Sequence, residues 1–189
     1  MRTFIAIPLP AGAKSLLETE QRKLRSCNAD VRWTAVSGIH LTLRFLGEVD
    51  PGTLPQLEAR IREATLGCGR FALRLQGLGA FPGMRNPRVV WYGLDGGLPE
   101  LAALQARIES ACAGLGFLPE DRPFHPHLTL GRVRGKTNLQ PLIDYIKIGA
   151  AAEFEFEVKD YNIYQSTLRP QGATYTVLAS IALAGDAHP

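Results

Sequence analysis

His40-Leu41-Thr42-Leu43 and His127-Leu128-Thr129-Leu130 are the same four residues written twice, 87 positions apart. In each copy polar and apolar residues alternate with period 2, the pattern of a half-buried β-strand. Histidine and threonine then share one face, and the leucines take the other. Phe45 continues the leucine parity in the first copy and is expected to bury with them. Two such faces set across a cleft place two imidazoles and two hydroxyls around one anion, an arrangement suited to phosphodiester chemistry near neutral pH without a metal. A single His-x-Thr on a strand is commonplace. Here, three of the chain's four histidines (His40, His125 and His127) fall in these two stretches, with only His188 elsewhere.

The flanks repeat as well. Residues 3–9 form an apolar strand, and residues 11–27 a helix with Leu16, Leu17, Leu24 and Cys27 on one stripe. Val31-Arg32-Trp33 is a short strand before the first motif. Gly47 to Pro51 then starts a helix buried through Leu54, Leu57, Ile61 and Ala64. Residues 70–81 alternate as a strand, and Pro82 to Pro87 is a Gly/Pro/Asn loop. The pattern then begins again: a strand over 89–94, a helix over 98–113 ended by Gly114 and Gly116, the second motif, and a helix over 139–148. Phe154, Phe156 and Val158 mark a further strand, and residues 174–183 the last. Adding 87 carries Phe4 onto Trp91, Ala11 onto Leu98 and Thr53 onto Gln140, each pair at matching places. The expectation is one α+β domain over 1–189 with two pseudo-two-fold-related lobes, approximately 1–85 and 86–185, with possible exchange of terminal strands. A parallel α/β sheet also fits alternating helices and strands, but no Gly-rich phosphate loop follows any strand.

Composition narrows the class. A hydrophobic content of 46% in 189 residues supports a proper core and argues against disorder. No apolar run approaches the roughly 20 residues of a membrane span, and the N-terminus lacks a signal-peptide pattern. Cys27, Cys68 and Cys112 are odd in number and scattered, which fits reduced thiols in the cytoplasm. The net charge of +3 is too small for a broad nucleic-acid surface. Arginines outnumber lysines 16 to 5; guanidinium suits phosphate, but genome base composition can produce the same bias. A His-x-His pair such as His125/His127 can bind metal, yet no Asp, Glu or Cys cluster stands beside it. No metal and no cofactor are expected.

With these motifs the chain resembles the 2H phosphoesterase superfamily, and more narrowly the bacterial and archaeal RNA 2′,3′-cyclic phosphodiesterases, first described as 2′-5′ RNA ligases. The likeness runs through Phe4-Ile5-Ala6-Ile7, His40 to Gly47, Arg88-Val89-Val90-Trp91, Phe124 to Leu130, Arg132, and Ser166 to Tyr175. It implies two antiparallel-sheet lobes, each backed by helices, with substrate in the cleft between them. It also implies hydrolysis of a terminal 2′,3′-cyclic phosphate to a 2′-phosphomonoester, with reversible, ATP-independent 2′-5′ ligation in some members. By the same resemblance His40 is the proton donor to the 3′ oxygen and His127 the base. The near-equivalent motifs do not orient these roles by themselves.

Histidine suits both roles because its ordinary pKa, about 6.5, keeps both forms available near neutrality. Thr42 and Thr129 are expected to hydrogen-bond the non-bridging oxygens, where charge gathers in the transition state; β-branched residues also favour strands without any such role. Arg132 matches the family's basic residue after the second motif. Strict alternation puts it opposite His127, so it reaches phosphate only if the strand bends or ends at Gly131. Arg44 shares parity with His40 and reads equally as a solvated rim residue, and His125 as a cleft-rim neighbour. Trp33, Phe81, Trp91 and Tyr164 could stack bases, with core packing the default. The expected partners are RNA ends or nucleotides bearing 2′,3′-cyclic phosphate, with no membrane and a monomeric protein. The alternatives are an RNA-binding module with a vestigial cleft, or a 2H phosphodiesterase acting on other cyclic phosphates or oligonucleotide ends.

Overall fold

A computed structural model of the chain describes residues 1–149, 151–170 and 172–184; Gln171, within the family likeness, and His188 lie outside them. The chain runs β1 (Arg2–Ile7), α1 (Ala11–Arg25), β2 (Val31–Trp33), β3 (Leu41–Glu48), α2 (Leu54–Ala64), β4 (Phe71–Phe81) and β5 (Val89–Gly96). It continues through α3 (Leu98–Ala113), β6 (Leu128–Val133), α4 (Leu139–Ile148), β7 (Phe154–Val158), β8 (Asp160–Arg169) and β9 (Gly172–Ala182). The strands form two sheets, in the orders β3-β1-β8-β9 and β2-β6-β5-β4-β7, and every strand pair is antiparallel.

The sheets match strand for strand. Shifting by 87 residues carries β1 onto β5, β3 onto β6 and β4 onto the neighbourhood of β8, with β2 added beyond β6. The sheets exchange strands across the boundary near residue 85. Strand β4 closes the first repeat in sequence but pairs with β5 and β7, while its counterpart β8 pairs with β1. The short Pro82–Pro87 connection makes a local β4–β5 hairpin, and adjacent strands joined by short loops pair first. The free edge of β1 is then filled by β8, and β2 joins the second sheet. The terminal strands of the two repeats, β4 on one side and β8 and β9 on the other, thus change sheets, and β2 crosses with them.

The helices cross over too. Helix α1 packs on β7 and α4 on β4, whereas α3 packs on β3 and against α2. The predicted stripes bury through Leu17 and Leu24, through Leu57 and Ile61, and through Leu101, Leu104, Ile108 and Cys112, while Leu16, Cys27, Leu54 and Ala64 are only half-buried and Ala13 joins the first stripe. Leu41, Leu43, Leu128 and Leu130 are buried beneath the motifs, each contributing on the order of 1.5–3 kcal/mol. Strand β8 is additional to the sequence expectation. Its core side is reduced to Tyr161 and Ile163, and Asn162, Gln165 and Ser166 mask the alternation. Among the described residues no helix is long and apolar enough to cross a membrane.

Candidate active site

Both motifs are followed at once by a β-bulge. Along β3, Ala6 faces Thr42 and Ile5 faces Arg44, so Leu43 has no opposite number. Along β6, Trp91 faces Thr129 and Val90 faces Gly131, so Leu130 is the extra residue. One inserted residue reverses the side-chain parity of the rest of the strand. This overturns two sequence expectations. Phe45 is not buried with the leucines but is 57% exposed on the cleft wall, and Arg44 turns to the core side at 3% exposure. There Arg44 pairs with Glu109 of α3 at 3.0 Å and Glu120 at 3.1 Å, and donates to the Leu118 carbonyl. The second bulge supplies the bend that Arg132 needs, and Arg132 stands on the face of Thr129.

The two sheets enclose a cleft of about 420 Å³ between these faces. His40, Thr42 and Phe45 line one wall, and His127, Thr129 and Arg132 the other. All five residues singled out in the sequence thus meet in one cavity. The β8–β9 hairpin adds Ser166, Leu168 and Tyr175; pairing of Ser166 with Tyr175 and Leu168 with Ala173 puts these side chains on one face. Sequence reasoning missed Ser166 and Leu168 as site residues because β8 itself was missed, and Tyr175 because its strand was expected without the β8 partner that turns it to the cleft.

The two imidazoles are held alike. Nδ1 of His40 lies 2.9 Å from the Gly38 carbonyl, and Nδ1 of His127 lies 2.7 Å from the His125 carbonyl. A carbonyl only accepts, so each Nδ1 carries a hydrogen and each Nε2 is left as the working nitrogen. His40 stacks on Phe4 at 4.6 Å and meets the edge of Tyr175 at 5.1 Å. Burial in this box lowers its pKa from 6.5 to about 4; the Gly38 hydrogen bond opposes the shift and nearby Lys14 adds to it. His127 meets Phe81 edge-on at 4.9 Å, and Phe81 packs on Trp91 at 5.2 Å. Of the candidate stacking aromatics, Phe81 and Trp91 therefore buttress His127, and Tyr164 backs Phe4 at 5.2 Å. Trp33 receives Arg25 over its ring at 5.4 Å. His125 is exposed, and its contribution is the backbone carbonyl. Among the described residues no three His, Cys, Asp or Glu side chains gather into a metal-binding group.

The profile of the 2′-5′ RNA ligase superfamily matches residues 16–168, a span that holds both motifs and both bulges. The chain belongs to this superfamily. The RNA 2′,3′-cyclic phosphodiesterase of Aeropyrum pernix is 38% identical over 146 residues, 77% of this chain and 82% of that protein. The protein of the same description from Methanothermobacter thermautotrophicus is 33% identical over 93% of this chain and 95% of its own length. Among solved structures, Escherichia coli LigT complexed with 3′-AMP superposes with a TM-score of 0.81 at 28% identity, covering 97% of this chain and 98% of LigT. The superfamily's two-lobed fold is thus shared over nearly the whole chain.

Proposed function

We propose that the chain is an RNA 2′,3′-cyclic phosphodiesterase that opens the ring to a 2′-phosphomonoester without a metal, using one histidine from each motif. The observation that carries this reading is the shared presentation of the two imidazoles. Each is anchored through Nδ1 to the carbonyl two residues earlier, and both line one cleft with a threonine beside each. Two proton-transfer groups on opposite walls are what an in-line displacement requires.

In the reaction, water attacks phosphorus opposite the 3′ oxygen. A phosphorus–oxygen bond forms to water, and the bond to O3′ breaks. His127 takes the water proton at Nε2 and His40 gives a proton to O3′, each such transfer contributing roughly 10²–10⁴-fold. The Thr42 and Thr129 hydroxyls donate to the non-bridging oxygens, and Arg132 pairs with their charge. Burial disfavours the charged form of His40, so it takes up a proton when phosphate binds and supplies a facing negative charge. An RNA 5′-hydroxyl in the water's place gives a 2′-5′ linkage, with ring strain in the role of ATP. The partners are RNA ends or nucleotides bearing the cyclic phosphate, and the protein works as a monomer. Free Cys27, Cys68 and Cys112 fit a cytoplasmic setting.

The test is incubation of the protein with adenosine 2′,3′-cyclic phosphate in EDTA, with the product isomer identified by phosphorus NMR. The expected product is 2′-AMP. Exclusive 3′-AMP would reverse the leaving group, and turnover lost to EDTA but restored by Zn²⁺ or Mn²⁺ would replace the mechanism with a metal-dependent one.

A further inference from the structure

Gln21 is a buried amide on α1 that takes no part in the cleft lining. Its Nε2 donates two hydrogen bonds of 2.8 Å, one to the carbonyl of Thr34 and one to the carbonyl of Leu130. Leu130 is the extra residue of the second bulge. Thr34 follows β2, lines the cleft, and sends its own N–H to the same Leu130 carbonyl at 2.8 Å. The Leu130 carbonyl therefore accepts twice, from the Thr34 N–H and from Gln21, using both of its lone pairs. A primary amide offers two N–H groups on one nitrogen, and the second ties down the Thr34 carbonyl, so one side chain clamps the bulged residue to the end of β2.

The surroundings of the bulge are equally constrained. A Cβ on Gly131 would come within 2.6 Å of Val31 Cγ1 and 3.0 Å of Trp33 Cε3, so the next residue packs hard against β2. Helix α1 also touches β2 through Arg25 over Trp33. In the first sheet a polar residue of the matching helix does related work: Glu109 of α3 holds Arg44, the residue after the Leu43 bulge.

We propose that Gln21 is a positioning residue: by bridging Thr34 and Leu130 it holds the β6 bulge in place and so keeps Arg132 on the cleft face. The proposal rests on Arg132 binding phosphate in the cyclic phosphodiesterase reaction. Without the bulge, alternation would return Arg132 to the far side of the sheet. Gln21 touches no reacting atom and acts only through Arg132.

The test is a double-mutant cycle on 2′-AMP affinity, measured by calorimetry for wild type, Gln21→Met, Arg132→Ala and the double variant. Methionine keeps the buried length and removes both donors. Gln21→Met is expected to weaken 2′-AMP binding about tenfold in the wild-type background and less than twofold in the Arg132→Ala background, because coupled groups do not add. Wild-type affinity in Gln21→Met, or the same loss in both backgrounds, would overturn the proposal. Amide hydrogen exchange reads the bridge independently of phosphate: the Thr34 amide should exchange at least tenfold faster in Gln21→Met, with the Ile5 amide of the other sheet unchanged. Equal acceleration of both, or of neither, would overturn the bridge. If Arg132→Ala binds 2′-AMP like wild type, the phosphate role of Arg132 fails, and the exchange result alone decides whether Gln21 holds the bulge. Should Gln21→Met not fold, Gln21→Asn, which draws the amide back by one methylene, is put through the same cycle.

Discussion

Phe45 and Arg132 are structural equivalents: each stands five residues after its motif's histidine, just past a bulge, on the wall of the same cleft. The pseudo-symmetry of the backbone therefore delivers an aromatic ring from one side and a guanidinium from the other. Under the proposed function that difference would orient an asymmetric substrate, with phosphate charge toward Arg132 and a nucleoside toward Phe45, and two variants test it. Arg132→Ala should weaken 2′-AMP and inorganic phosphate alike, by roughly tenfold or more. Phe45→Ala should weaken 2′-AMP by a similar factor, since base stacking is worth about 1–3 kcal/mol, and leave inorganic phosphate unchanged. Calorimetric titration of both ligands against both variants checks the pair.

The buried cation behind that wall gives a stability prediction. Arg44 has two carboxylate partners, Glu109 and Glu120, and Glu120 also accepts from the Phe45 amide at 3.2 Å. Removing one partner of a buried pair strands the other, at about 3–5 kcal/mol. Arg44→Ala should therefore destabilise the protein by about 3 kcal/mol in urea unfolding. Arg44→Met combined with Glu109→Gln should recover much of the loss, because the one carboxylate then left without its cation, Glu120, is the more exposed of the two. A double variant as unstable as Arg44→Ala would contradict this.

His40 links the site to pH. Its folded pKa, about 4, lies below the ordinary 6.5 because burial disfavours the charged ring. Between these values the unfolded chain binds more protons than the folded one, so stability is fully present above pH 6.5 and declines as pH falls toward 4. The depressed pKa corresponds to at most about 3 kcal/mol across that window. Urea unfolding of wild type and His40→Leu from about pH 7 to about pH 4 should show the variant gaining on wild type as pH falls. A constant gap would mean that His40 is not held neutral.

The sequence shows one part of this architecture well and conceals another. The duplicated His-x-Thr pattern and the 87-residue offset carry the elements, the buried leucines and the facing histidines, since all depend on local periodicity. The bulges leave a fainter trace. The adjacent apolar pair Phe45-Leu46 breaks strict alternation in β3, and Gly131 marks the close approach of β2 in β6. Neither says which way Arg44 or Arg132 turns, because that depends on which residue the partner strand skips. The pairing of β4 with β5 and of β8 with β1 is likewise a choice among edges, decided by loop length and not by composition. Strand β8 hides because its cleft face carries Tyr164 and Ser166 where a core strand would carry aliphatics.

The central claim is one working histidine per motif, and single-turnover hydrolysis of adenosine 2′,3′-cyclic phosphate in EDTA tests it most directly. His40→Ala and His127→Ala should each slow the chemical step by roughly 10²-fold or more, and the double variant should be little slower than either, because groups serving one step act as a unit. Affinity for 2′-AMP should stay within about tenfold, ~1.4 kcal/mol, since Thr42, Thr129 and Arg132 remain. His125→Ala should keep most of the rate. Near-full turnover in His40→Ala or His127→Ala, or a His125→Ala variant as slow as His127→Ala, would contradict the account.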